Sequence, residues 1–216
     1  NGAVSPAYAW TSFENITDTG AGAKTVNGPG SVAGAITIAA GPTTLNGAIT
    51  AGTQTYNGAV TLGSNTTLGG TVALNSTVDG TVDPAPPGTA GQSLTINGGA
   101  VTLAGAIGSI HPLSSLNVNA TGILVLPSIK TLPGAVSDSV TIVAGQIQGV
   151  GPVTTTDLFL TSGTAAINGL VINSKTLSVG GFNILTWIFP TPSIVANNTG
   201  NSIAPACRKT LSSPSA

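Results

Sequence analysis

Charge is the first thing this chain lacks. Five Lys or Arg and six Asp or Glu are spread over 216 residues, 5% of the chain, for a net charge of -1. An ordinary soluble domain carries about 25%. No basic face is available to neutralise phosphates and release counterions, so nucleic acid is not an expected partner. Intrinsic disorder fits no better. Hydrophobic residues are 41%, whereas disordered chains combine low hydrophobicity with high net charge. A surface this poor in charge is weakly protected against self-association.

Other absences narrow the reading further. Met is missing and residue 1 is Asn, which reads as a processed mature chain or a piece of a longer one, with an extracellular or cell-surface location expected after removal of a signal peptide. Cys207 is the single cysteine, so neither an internal disulfide nor a thiolate metal cluster is expected. It reads as a bystander near the C-terminus, with an intermolecular bridge as the alternative. The densest apolar patch, Phe182 to Phe189, is far shorter than the roughly 18 residues a transmembrane helix needs. Glu14 is the only Glu, while Gly numbers 30 and Pro 14. Few strong helix formers remain.

What fills the chain is a series of short alternating segments. Ala35-Ile36-Thr37-Ile38, Ser93-Leu94-Thr95-Ile96, Leu116-Asn117-Val118, Val140-Thr141-Ile142 and Leu170-Val171-Ile172 each carry the period of two that marks a strand. Asn-Gly dipeptides at 27-28, 46-47, 57-58, 97-98 and 168-169 punctuate them and are expected to supply positive φ. The tetrapeptide Gly-Ala-(Ile/Val)-Thr recurs at 34–37, 47–50, 58–61 and 99–102. Its irregular spacing argues against a propeller. An immunoglobulin-like sandwich would want longer strands, paired Cys and a core Trp, and the two Trp lie at 10 and 187.

A parallel β-helix accounts for these features. Short strands joined by tight corners stack at about 4.8 Å, with Val, Ile, Leu and Ala inward, Thr and Ser outward, and Gly and Asn at the corners. At roughly 20 residues per coil, residues 25–181 would give about seven or eight coils. The narrow interior explains why aromatics are only 4%.

The stretch Gln54-Thr-Tyr-Asn-Gly-Ala-Val-Thr-Leu-Gly-Ser-Asn-Thr-Thr-Leu68, with Leu74-Asn-Ser-Thr-Val-Asp-Gly80 and Gln92-Ser-Leu-Thr-Ile-Asn97, resembles the repeat region of filamentous-haemagglutinin-like bacterial adhesins. The resemblance runs over about 54–122 and returns weakly over 137–180. It implies an all-β fold, a right-handed parallel β-helix (β-solenoid) with non-repetitive end segments, and an exported adhesive role. The chain departs from that family in its shortness and in lacking an Asn-Pro-Asn-Gly-type secretion motif.

Two segments fall outside the repeat: 1–24, an N-terminal cap or docking segment, and 182–216, a C-terminal cap or extended arm. They hold Tyr8, Trp10 and Phe13, and Phe182, Trp187 and Phe189, most of the large aromatics. Such residues either cover the open strand edges of a solenoid or anchor a neighbouring subunit.

Catalytic constellations are not found. His111, the only His, precedes Pro112 in a loop, and no Gly-x-Ser-x-Gly elbow occurs. Asp79 and Asp83 flank a Pro-rich loop and read as turn residues. Gly28-Pro-Gly30-Ser-Val-Ala33 and Gly22-Ala-Lys24-Thr25 imitate phosphate loops without the helix or the Gly that such loops need. The expectation is therefore not an enzyme. It is an extracellular structural or adhesive rod without metal or cofactor, which joins identical subunits end to end into a fibre, with host or surface glycans as further candidate partners. The alternatives are a glycan- or ice-binding solenoid and, last, a polysaccharide-cleaving β-helix.

Overall fold

The structure, a computed structural model, describes residues 13–81, 91–131, 139–149, 151–166, 172–173 and 176–180. Among them every regular element is a β-strand, and every strand pairing is parallel. The strands stack as a β-solenoid of about seven coils. At 4.8 Å per coil the rod is about 34 Å long. The hydrogen bonds between coils run along its axis.

Each coil contributes three segments. In the strand Thr43–Tyr56 the register against Val60–Leu74 shifts between Leu45 and Gly47 and again between Thr50 and Thr53. Those shifts are corners, and they separate segments 43–45, 47–50 and 53–56. Because parallel pairing aligns like-facing side chains, each segment builds an inward column. Thr43, Val60, Val78, Ile107, Ile129 and Val153 form the first. Ile49, Leu68, Ile96, Val118, Ile142 and Leu160 form the second. Ile38, Tyr56, Leu74 and Leu103 form the third. All are buried, and burying each large aliphatic side chain contributes about 1.5–3 kcal/mol.

The recurring tetrapeptide now has a place. Residues 34–37 and 99–102 lead into third segments, 47–50 into a second and 58–61 into a first. The unit is one corner with its following strand, used at all three corners, so it sets no period. Coil length varies for the same reason. Aligned residues lie 17 apart from Thr43 to Val60 and 29 apart from Val72 to Val101. The extra residues of the longer coils fall between first and second segments, at 82–92, 108–114 and 132–138.

One expectation needs correction. Of the Asn-Gly corners within the described residues, only Gly47 has positive φ. Gly28, Gly58 and Gly98 are glycine because coils approach backbone to backbone; a Cβ on Gly58 would stand 1.9 Å from the Gly41 carbonyl oxygen. Pairing starts before residue 25. Phe13 bridges Val32, and Ile16–Asp18 pairs in register with Ile36 to Ile38.

Polar groups inside the rod are not uniform in their partners. Gln54 and Tyr56 are both 0% exposed. The Tyr56 hydroxyl donates to Gln54 Oε1 at 2.8 Å, and Gln54 Nε2 donates to the carbonyls of Ile49 at 3.0 Å and Gly69 at 2.8 Å. Thr43 Oγ1, by contrast, is buried without a hydrogen-bond partner. Thr43→Val extends the aliphatic column and removes that hydroxyl, so it is expected to stabilise the fold by about 1 kcal/mol. A rise in the urea midpoint at unchanged slope checks it.

Burial pushes the Tyr56 phenol above its ordinary value of 10.0. Above pH 10 the unfolded chain loses this proton while the folded chain keeps it. Stability is therefore full below pH 10 and falls as pH rises, by about 1.4 kcal/mol per unit. Urea titrations at pH 9 to 11 should show that slope in the native protein and a shallower one in Tyr56→Phe.

Candidate functional surfaces: the ends and outer faces

The N-terminal end is built by two strands that each pair on one side only among the described residues. Ile16–Asp18 lies against Gly30–Ile38, and Lys24–Asn27 against Thr43–Tyr56. Asp18 aligns with Ile38 and Lys24 with Thr43, so both stand at the feet of inward columns. The Lys24 ammonium donates to the carbonyls of Gly20, Gly22 (2.8 Å) and Ala40 (2.7 Å) and lies 3.7 Å from the Asp18 carboxylate. Asp18 in turn accepts the Gly20 N–H at 2.7 Å. The pair links residues 18–24 to the corner at Ala40, above the first coil.

Phe13 is the one predicted end aromatic within the described residues. Its side chain is exposed, at 58%, while its backbone continues the ladder below Val32. Tyr8, Trp10, Phe182, Trp187 and Phe189 lie outside the described residues, as does Cys207.

The outer faces carry threonine in register. Thr17, Thr37 and Thr55 form one outward column, continued by Ala73 and Thr102. Thr53 and Thr71 lie in the neighbouring column. Later coils differ. Ile123 and Val125 on the third side, and Val143 and Phe159 on the second, are exposed large hydrophobic residues. Strand alternation could have located these four, since each occupies the outward parity of its strand.

Asp79 is corrected by the structure. It belongs to the strand Val78–Gly80 and is 7% exposed, and is not a turn residue. Its carboxylate accepts the Ile110 N–H at 2.8 Å, the His111 N–H at 3.4 Å and the Ser109 hydroxyl at 3.5 Å. Gly80 N–H donates to the His111 carbonyl at 2.9 Å. The carboxylate therefore pins the 109–111 loop through two backbone N–H groups and the Ser109 hydroxyl. Asp83 lies outside the described residues. Among the described residues, no three His, Cys, Asp or Glu side chains converge as a metal site.

No helix among the described residues is long and apolar enough to cross a membrane. No protein-family model matches the chain, and no curated protein or solved structure is significantly similar to it.

Proposed function

We propose that this chain is a structural and adhesive rod of the extracellular surface, which associates with copies of itself through its ends and carries no catalytic step. The observation that supports the reading is the stacking of about seven parallel coils on aliphatic columns. Each coil contacts only its neighbours, which makes a stiff, narrow spacer. Outer faces almost free of charge suit contact with like surfaces. The resemblance of residues 54–122 to adhesin repeats points the same way. Electron micrographs of native material should show thin rods, single or joined at their ends. Compact, isotropic particles at every concentration would overturn the reading.

One observation favours a second reading, a face that orders water in an ice-like lattice. The threonine columns of the third side repeat at about 4.8 Å between coils and about 6.7 Å along a strand. Such a face would give thermal hysteresis that Thr55→Lys abolishes while the fold stays intact. Equal freezing behaviour of the two proteins would remove it.

A further inference from the structure

We propose that the inward-pointing pair Asp18 and Lys24 is a stop at the N-terminal edge of the solenoid, which keeps a second copy from stacking there. The inference rests on the reading that copies associate through their ends, and it says which end is closed.

An exposed strand edge is a template for another chain, and an inward-pointing charge is an effective way to blunt it. Here the two edge strands, Ile16–Asp18 and Lys24–Asn27, each place one charge at the foot of a column that is apolar one or two coils above. Asp18 stands under Ile38, Tyr56 and Leu74; Lys24 stands under Thr43, Val60 and Val78. A coil added beneath would set its own inward side chains against a carboxylate that is now 45% exposed. It would strip that carboxylate of water with no new partner supplied. The ammonium cannot turn to meet an incoming chain without releasing the carbonyls of Gly20, Gly22 and Ala40.

The distribution of charge along the chain fits this role. Glu14, Asp18 and Lys24 fall within the first described coil, and no charged residue follows until Asp79. Scarce charge is thus concentrated where stacking would begin. An open filament needs two complementary ends on each subunit. With the N-terminal edge closed, a subunit lacks one of those two ends, so any end-to-end association stops at pairs.

The test is sedimentation velocity on the full chain over a concentration series. The native protein is expected to reach no further than a dimer. Asp18→Val with Lys24→Val continues both columns to the edge, and should grow into longer species at concentrations at least about tenfold lower than any growth of the native chain. Thr17→Val with Thr25→Val, outward-facing on the same strands, adds apolar surface and should sediment as the native protein does.

Native-like sedimentation of the inward double variant would overturn the proposal, and so would equal growth of the outward one. Circular dichroism confirms the fold of each variant. If the double variant loses it, Asp18→Val alone decides by the same outcomes, since Lys24 keeps its carbonyl partners. A native monomer beside a polymerising inward variant would refute end association and leave the stop standing. Native filaments unchanged by the inward variant would do the reverse.

Discussion

Gly70→Ala is expected to destabilise the rod by about 3 kcal/mol or more, against a typical single-substitution loss near 1 kcal/mol. Two costs coincide at this corner. Gly70 has φ +104°, which side chains with a Cβ rarely adopt. A Cβ there would also stand 1.8 Å from the Ala51 carbonyl oxygen in the coil below. Backbone cannot swing aside as a side chain would, so either the coil spacing opens or the corner changes shape. Both outcomes disturb the ladders on each side of the corner. Gly22→Ala is the control, because its Cβ would meet nothing within 4 Å. Urea unfolding of the two variants should separate them clearly, and equal midpoints would refute the argument.

Gln54→Leu is the second large effect, expected at about 3 kcal/mol. Apolar volume is nearly conserved, so packing alone predicts a small change. The loss comes from what Gln54 leaves behind: the Tyr56 hydroxyl without its acceptor, and the carbonyls of Ile49 and Gly69 without its amide. Tyr56→Phe alone should cost about 1–2 kcal/mol by leaving Gln54 Oε1 unmet. Combining the two removes both ends of that bond, so the double variant should be more stable than the sum by about 1 kcal/mol. Strict additivity would mean that the two side chains do not act together.

The sequence made the strands legible because a half-buried parallel strand must alternate. Leu94 and Ile96, Leu116 and Val118, and Val140 and Ile142 could be assigned inward from spacing alone, and all six are buried. The solenoid followed from the shortness of those segments and the density of corner residues. Coil length did not follow, since the recurring tetrapeptide marks corners of all three kinds. The same variation hid the threonine columns. Thr17, Thr37 and Thr55 are unevenly spaced in the chain, and they fall into line because intervening coils lengthen and shorten at their corners.

Gln54 and Tyr56 resisted prediction for another reason. Alternation places them inward, but residue type alone argues for the surface, and only the bond between them reconciles the two. The end pair was equally hidden. Asp18 and Lys24 sit six positions apart in a Gly-rich stretch, and only closure of the coil turns them to one another.

The direction of the inter-coil hydrogen bonds has a mechanical consequence. Tension applied between the two ends of the rod loads those bonds along their length, and loads the outermost coil first. The rod should therefore peel one coil at a time and never shear as a block. Each 18-residue coil, as between Val60 and Val78, would release about 60 Å of slack at the reach of an extended chain. A tether built this way resists bending while short, and under pull gives way in steps that spare the surface it is attached to.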